Sequence, residues 1–339
     1  MRRERKKRIT GRRDRATSLL SAVRGNVMLE VLILLLPVFV LIFLGMLAER
    51  FQLVPPFGAT TLNQFLVNLG LPSLIFLAIA ECRPEDLNHE AFLGGFSVCL
   101  FVTFGLLIPI FHRFLRAGYR ESVMLSMLAS FPNVVLVGLP VLMALYPGEK
   151  LVVLASTLTN ILEIPIILVA LLILTNDGAK GRHPVRTVAV TLITNPVVLS
   201  TAFGALFYLS GMPVPVFLES ACRALGNSVM PCALVSLGIV MGARLRGGQG
   251  GRFRLGRQAV ILIGKQLVQP AIAWFALTML GAEPLWRSMG VLLAAMPIGT
   301  MAYAMSDSYK VAEDDAAAAV IASTLISLLL MPLLAMFMK

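Results

Sequence analysis

The apolar run from Ser130 to Pro140 contains two prolines, a glycine and an asparagine, and with its flanks it is long enough to cross a bilayer. Pro132 and Pro140 each remove a backbone donor and clash with the carbonyl four residues earlier, so the run cannot form one unbroken helix. A second such stretch, from Ala294 to Thr300, lies in the other half of the chain. Hydrocarbon tolerates open backbone only where protein buries it or where it lines a wet cavity. The two stretches predict broken helices at membrane depth, with ordinary proline kinks as the alternative.

The composition indicates a polytopic membrane protein. Hydrophobic residues make up 58% of the chain and charged residues 14%, against roughly 45–50% and about 25% in soluble proteins. The net charge of +11 would suggest a nucleic-acid partner, but ten of the 29 basic residues precede Asn26, together with the acidic Glu4 and Asp14. The rest of the chain has 19 basic and 16 acidic residues. We therefore expect a lipid bilayer, and no nucleic acid, as its partner.

The basic segment before the first apolar run, residues 1–27, has no apolar periodicity and is predicted to be a disordered tail. The run that follows is too long for the apolar core of a cleavable signal and lacks a cleavage pattern. Met28 is an alternative translation start, in which case the tail would not be translated.

Apolar runs of about 20 residues, the length of a membrane-crossing helix, occur ten times. Their bounds are near 28–48, 60–80, 91–112, 122–146, 151–174, 187–209, 218–242, 257–280, 286–306 and 315–338. They divide the chain into five spans over 28–174, a cytoplasmic loop over 175–186 and five spans over 187–339. The predicted fold is an all-α membrane protein.

Landmark residues of the first five spans recur in order in the second five. The pairs are Pro37 with Pro196, Gly45 with Gly204, Pro56 with Pro215, Asn68 with Asn227, Pro72 with Pro231, Pro132 with Pro297 and Ser156 with Ser323. The first five pairs share one constant offset. Because each copy has an odd number of spans, the second copy must enter the membrane from the opposite side. This arrangement is an inverted repeat, in which carriers bind their substrate at the midplane.

A helix that begins at mid-membrane presents free N–H groups and the positive end of its dipole, which bind an anion without a buried cation. Two such ends, one from each repeat, would make a site suited to a carboxylate. Asn133 is the first candidate ligand because its amide both donates and accepts, and the alternative is that it caps the helix. Thr300 and Tyr303 are weaker candidates, for which interhelical packing is favoured.

Ionisable residues inside the spans are few, and each is a functional candidate. Glu163, near Asn160, is a candidate proton or ion-coupling site, or else a carboxylate that lies near the surface or is capped by its neighbours. For Lys265 the expected behaviour is snorkelling towards the cytoplasmic end of its span. The sequence has no metal-ligand spacing of Cys or His and no catalytic motif, so neither a metal, a cofactor nor an enzymatic reaction is expected.

Three groups of residues resemble motifs of the auxin efflux carrier family, which includes bacterial malate permease-like proteins and the plant PIN-FORMED carriers. They are Leu69 to Phe76, Ser130 to Pro140, and Met296 to Thr300 with Tyr303. The resemblance covers residues 28–339. It implies ten helices in two inverted five-helix repeats, as in the bile acid sodium symporters. Spans one, two, six and seven would form a scaffold, and the other six a mobile transport domain in which the broken spans four and nine cross.

The same resemblance places the substrate site at this crossing. The residues that it carries over to the site are Pro132, Asn133 and Pro297, and the predicted substrate-binding set also includes Gly138, Gly299, Thr300 and Tyr303. This sequence departs from the family pattern at Pro132, where a glycine is common, and at Met301, where a second asparagine is usual. The loss of that polar group favours a less polar organic anion or a weaker site.

The function that the resemblance implies is a secondary carrier of the bacterial cytoplasmic membrane. It would move a small organic anion, by preference a carboxylate, through an elevator-like movement, and would form a homodimer through the scaffold helices. A sodium-coupled symporter of the bile acid type is one alternative. An intramembrane enzyme that acts on lipid is the other.

The short loops predict which side of the membrane each terminus occupies, because cytoplasmic loops carry the excess of Lys and Arg. With the N-terminus outside, the cytoplasmic loops hold 13 basic residues and the outer face holds five, although the basic tail opposes this orientation. A protease-cleavable tag at either terminus should therefore be cut when protease is added to intact cells. A C-terminal tag that is cut only after lysis would contradict the orientation.

Overall fold

The structure, a computed structural model, describes residues 29–55, 57–82, 89–175, 196–247 and 254–338. Regular structure in these ranges is helical, apart from one isolated antiparallel bridge between Pro132 and Ile298. The helices are α1 (Leu29–Arg50), α2 (Gly58–Ala80), α3 (Glu90–Phe114), α4 (Tyr119–Ser130), α5 (Val134–Leu145), α6 (Leu151–Leu162), α7 (Ile164–Thr175), α8 (Pro196–Ser210), α9 (Val216–Asn227), α10 (Val229–Gly247), α11 (Leu255–Met279), α12 (Pro284–Ala294), α13 (Thr300–Tyr309) and α14 (Glu313–Met338).

Seven helical stretches in the described ranges are long and apolar enough to cross a membrane. They are α1, α2, α3, α6 with α7, α9 with α10, α11 and α14, while α5 and α8 are shorter apolar helices. An all-α membrane protein was predicted, and this is confirmed. The predicted tail, the loop after Thr175 and the start of the sixth predicted span lie outside the described residues.

The predicted breaks in the fourth and ninth spans are present. Residues 131–133 separate α4 from α5, and residues 295–299 separate α12 from α13. Pro132 and Pro297 lie in these gaps. The alternative of ordinary kinks in continuous helices is therefore wrong for both stretches.

Three other prolines widen a helix instead of breaking it. Pro72, Pro140 and Pro270 each follow, by two residues, a single π turn; these turns are Leu66–Gly70, Val134–Gly138 and Gly264–Val268. Proline has no N–H and clashes with the carbonyl four residues earlier. A turn of hydrogen bonds between residues five apart lets the helix continue past it. Pro140 therefore does not open the backbone, contrary to the prediction from sequence.

Two helix pairs approach each other closely through glycines. A Cβ atom at Gly45 in α1 would lie 2.2 Å from the carbonyl oxygen of Val235 in α10, and one at Gly238 would lie 2.0 Å from a backbone oxygen of α1. In the other pair, a Cβ atom at Gly204 in α8 would lie 2.9 Å from the carbonyl oxygen of Phe76 in α2. Only a residue without a side chain lets these backbones come so near.

The two close contacts are equivalent under the sequence repeat. The offset that relates Gly45 to Gly204 also relates Phe76 to Val235. Hence α1 packs on α10 as α8 packs on α2. These four helices, with α9, form one packed group, and the remaining helices form another around the two breaks.

Ion pairs join helix ends at several places, and two of them link three chain segments each. Glu81, directly after α2, accepts hydrogen bonds from Lys150 at 2.8 Å and from Arg223 at 2.6 Å. Burial raises the pKa of Glu81, but the two cations and their hydrogen bonds outweigh it, so the pKa lies below its usual value of 4.5. A second group joins the first turns of α4, α11 and α14, where Arg257 pairs with Glu121.

The close contact of α1 with α10 predicts an intolerance of any side chain at Gly238. Gly238→Ala should lower the free energy of unfolding by roughly 1–3 kcal/mol, because the added methyl group forces two backbones apart. Thermal unfolding of the purified protein in detergent measures the effect. Gly105→Ala in α3 is the matched control, since a Cβ atom there meets nothing within 4 Å. It should leave stability unchanged or raise it, and equal melting temperatures for the two variants would contradict the prediction.

Candidate substrate-binding site

The two broken spans cross at their gaps and are joined there by backbone hydrogen bonds. The N–H of Asn133 donates to the carbonyl oxygen of Pro297 at 2.7 Å, and the N–H of Gly299 donates to that of Phe131 at 2.8 Å. These bonds form the isolated antiparallel bridge. One N–H group and one carbonyl group of each gap are thus satisfied by the other gap.

Two of the predicted site glycines permit this close crossing. A Cβ atom at Gly299 would lie 3.0 Å from the carbonyl oxygen of Pro132 and closer still to the ring of Phe131. One at Gly138 would lie 2.9 Å from the side chain of Leu293. Both glycines therefore act through packing of the crossing.

Side chains of α11 donate hydrogen bonds to the free carbonyl groups at the C-terminal ends of α4 and α12, where these helices meet the crossing. The Nε2 of Gln269 donates at 2.7 Å to the carbonyl oxygen of Ser130, the last residue of α4. The Nζ of Lys265 donates at 2.5 Å to the carbonyl oxygen of Ala294, the last residue of α12, and at 2.7 Å to Oε1 of Gln269. Lys265 is fully buried. The prediction that it snorkels to the membrane edge is wrong.

A second set of polar side chains, from α11 and α14, forms hydrogen bonds with the backbone of the gap between α12 and α13. The Nε2 of Gln266 donates to Oγ of Ser327 at 2.7 Å, and that hydroxyl donates to the carbonyl oxygen of Ala295 at 3.2 Å. The Oγ of Ser323 accepts from the N–H of Ile298 at 3.1 Å. The gap is therefore held on the α11 side by a continuous set of hydrogen bonds.

The N-terminal ends of α5 and α13 begin on the other side of the crossing. The first-turn N–H groups of a helix have no partner inside that helix. Asn133 precedes α5, and its Oδ1 accepts from the N–H of Leu136 at 3.3 Å, which is the capping contact that the sequence left open as an alternative. Its amide nitrogen makes no hydrogen bond with the described residues, so it is able to donate to a ligand.

A cavity lies between these helix ends and the helices α2 and α10. It contains about 700 Å³ of space not occupied by atoms, including the part that is open to solvent. Its polar lining residues are Asn63, Asn133, Ser236, Thr300 and Thr324. Its apolar lining residues are Leu136, Val137, Ala233, Leu237, Val240, Met241, Ile298, Val320, Ile321 and Leu325. None of these side chains is charged.

The structure brings only part of the predicted site to this cavity. Asn133 and Thr300 line it. Pro132 and Pro297 build the crossing behind it, and Tyr303, one turn into α13, is not among the lining residues. A ligand role for each of these residues remains a prediction.

Glu163 lies in the turn between α6 and α7, apart from the cavity. Its side chain is buried in the protein. The Nδ2 of Asn160 donates to its Oε2 at 3.4 Å, whereas its Oε1 has no hydrogen-bond partner among the described residues. A proton or ion-coupling role for Glu163 and Asn160 remains a prediction.

Three cavity residues, Asn63, Ser236 and Thr324, were missed from the sequence. The Oγ of Ser236 in α10 donates to Oδ1 of Asn63 in α2 at 2.8 Å. A polar residue in an apolar span is a general signal for an interior position. The signal does not tell which of several such residues share one cavity.

Comparison with known proteins identifies the family. Residues 30–335 match the model of a family described as membrane transport protein. The chain belongs to this family, the auxin efflux carrier family. It is an integral membrane transporter and not an enzyme, so the alternative of an enzyme that acts on lipid is set aside.

Relatives of this transporter occur in bacteria, archaea and plants. A protein of Rhizobium meliloti, provisionally named as a malonate transporter, is 29% identical over 88% of this chain and 93% of its own. An uncharacterized transporter of Methanothermobacter thermautotrophicus is 24% identical over 90% of this chain and 95% of its own. Auxin efflux carrier component 8 of Arabidopsis thaliana is 22% identical over 86% of this chain and 93% of its own.

Two substitutions of Asn133 separate its capping role from a ligand role. Asn133→Asp keeps an oxygen that accepts from the helix, so the melting temperature should stay near that of the wild type, but its negative charge should repel an anion. Asn133→Ala should cost about 1 kcal/mol of stability through the lost cap and should also abolish binding. Transport in proteoliposomes and thermal unfolding are the measurements. Normal transport by Asn133→Asp would leave Asn133 as a cap only.

Proposed function

We propose that this transporter is a secondary carrier for a small organic anion, which binds as a carboxylate beside the crossing of the broken spans. The observation that supports this is the cavity, since α5 and α13 both begin at its wall and no charged side chain lines it. A helix N-terminus supplies free N–H donors and a positive dipole end, which together bind anions. The protein can therefore select a negative charge without the cost of burying a cation in the cavity.

The charge available at the cavity favours a monoanion. Each helix N-terminus is equivalent to about +0.5 elementary charge, so two of them offset one carboxylate. The remaining wall is mostly apolar, which suits a short carbon chain. We propose a monocarboxylate, or the monoanion of a short dicarboxylate such as the malonate for which the Rhizobium meliloti relative is named.

We propose ten membrane spans in two inverted repeats. In this arrangement α4 with α5 and α12 with α13 are the two broken spans. The matching contacts of α1 with α10 and of α8 with α2, related by one sequence offset, support the repeat. Each repeat contributes one broken helix to the crossing, so the positive helix ends face a shared cavity.

The distribution of polar contacts supports an elevator-like movement. The helices α2 and α10 line one part of the cavity and the crossing lines another, and the lining includes apolar residues such as Leu237, Val240 and Leu136. The hydrogen bonds that hold the crossing are made within its own group of helices. Sliding of one group against the other would therefore break few polar contacts. The membrane potential supplies about 2.3 kcal/mol per charge per 100 mV, which can drive export of a monoanion.

We propose the bacterial cytoplasmic membrane, with both termini outside, and a homodimer formed through the scaffold group that contains α1. Large apolar side chains such as Leu32, Ile33 and Leu36 are exposed along α1, as a surface against lipid or a second copy requires.

A sodium-coupled symporter is the second candidate. It would require a set of oxygen ligands for the ion beside the crossing. Replacing sodium by choline should leave transport unchanged in the proposed carrier and abolish it in the symporter.

Thermal unfolding of the purified transporter with a panel of anions tests the substrate class. A ligand present at 100 times its dissociation constant stabilises the native state by about 2.7 kcal/mol. Malonate and short monocarboxylates at mildly acidic pH should raise the melting temperature, whereas matched neutral amides and alkylammonium ions should not. Stabilisation by the neutral amides to the same extent would overturn the anion proposal.

A further inference from the structure

A buried ammonium group lies directly behind the crossing, with two oxygen atoms as its hydrogen-bond acceptors. The Nζ of Lys265 donates to the carbonyl oxygen of Ala294 at 2.5 Å and to Oε1 of Gln269 at 2.7 Å. Neither Lys265 nor Gln269 is exposed to any extent. These are the kinds of oxygen ligand that proteins use for small monovalent cations.

Glu163 is another buried ionisable side chain of this group of helices. Glu163 is buried in the turn between α6 and α7, and its Oε1 has no hydrogen-bond partner among the described residues. Glu163 makes no hydrogen bond or ion pair with Lys265, so the acceptors shown for the ammonium are one carbonyl oxygen of α12 and one amide oxygen of α11.

The local conformation of α11 directs these side chains to the crossing. Lys265 and Gln266 lie in the π turn Gly264–Val268, which precedes Pro270. Lys265 and Gln269 are four residues apart, so they share one face of the helix. From that face Gln269 reaches the end of α4 and Lys265 reaches the end of α12. The helix α11 therefore binds the C-terminal ends of α4 and α12, which are the first halves of the two broken spans.

A positive charge is favourable beside Ala294 because the break in the ninth span leaves the C-terminal end of a helix there. The C-terminal end of a helix carries the negative pole of its dipole and carbonyl oxygens without partners. Ala294 is the last residue of α12, and its carbonyl oxygen accepts from the ammonium. Without a cation, this end would be buried in protein at membrane depth with an unsatisfied carbonyl, which is costly.

We propose that the ammonium of Lys265 occupies a cation position behind the crossing, between the carbonyl oxygen of Ala294 and Oε1 of Gln269, so that the transporter binds no sodium or potassium there. The ammonium holds the end of α12 against α11 throughout the transport cycle. Lys265 is in this sense a positioning residue, since it does not line the substrate cavity. The consequence for transport rests on the proposed carrier function, whereas the occupancy of the cation site does not.

Chemical replacement of the side chain tests the proposal. Lys265→Ala removes the propylammonium portion and leaves the oxygen ligands in place, so n-propylammonium chloride added to the buffer can refill the site. The melting temperature of Lys265→Ala in detergent should fall by about 5 °C or more relative to the wild type. It should recover with n-propylammonium and not with choline. The wild type should melt at one temperature in sodium, potassium and choline chloride.

Matched variants exclude a general effect of the salt or of the cavity. In Lys265→Met an apolar chain fills the same space, so this variant should be destabilised and should not respond to n-propylammonium. Lys150→Ala, which removes an exposed lysine, should not respond either. If Lys265→Ala cannot be purified in ordinary buffer, n-propylammonium during extraction should restore folded protein.

The proposal is overturned if Lys265→Met is as stable and as active as the wild type, or if n-propylammonium leaves Lys265→Ala unchanged while Lys265→Met folds. In proteoliposomes, Lys265→Ala should regain transport of the carboxylate only with n-propylammonium. A wild type that binds no carboxylate would overturn the proposed substrate class but not the cation site, because the melting experiment requires no substrate.

Discussion

An open backbone inside a membrane must find hydrogen-bond partners within the protein, and the structure around the crossing follows from this requirement. The gaps at 131–133 and 295–299 satisfy part of each other through two backbone bonds. The remaining carbonyl groups are satisfied by side chains of α11 and α14. In hydrocarbon each unsatisfied group would cost several kcal/mol. The polar residues of α11 are therefore a structural necessity of the two breaks.

The same constraint divides the crossing into two unlike sides. On the α11 side, the negative helix ends are held by Lys265 and Gln269. On the cavity side, the positive ends of α5 and α13 keep donors available, and Asn133 satisfies only one of them. The Lys265 side chain thus lies at the negative end of the α12 dipole, and the cavity lies at the positive ends of the α5 and α13 dipoles. This asymmetry favours an anion as the substrate.

The close glycine contacts lie in the other group of helices, between α1 and α10 and between α8 and α2. Gly45, Gly204 and Gly238 bring helix backbones so close that any added side chain would meet a neighbouring main chain. Helices packed in this way form a rigid group, because interfaces of small residues leave few alternative arrangements. The cavity wall is different, since most of its lining residues have branched or flexible apolar side chains. A stiff group beside a mostly apolar wall is suited to the relative sliding that we propose.

The sequence by itself determined the class of the protein, the positions of the breaks at Pro132 and Pro297, and the residue types of the crossing, because proline chemistry and span length are local properties. It also singled out Asn133 as a candidate ligand or cap beside the first break, and Thr300 as a weaker candidate beside the second. Only the tertiary structure decided that Pro140 widens a helix, that Lys265 is buried, and that Asn63 and Ser236 share the cavity with Asn133. Those outcomes depend on which helix lies beside which gap. A lysine two turns from a membrane edge reaches water or a buried carbonyl equally well, and the choice is made by the neighbour that the fold supplies.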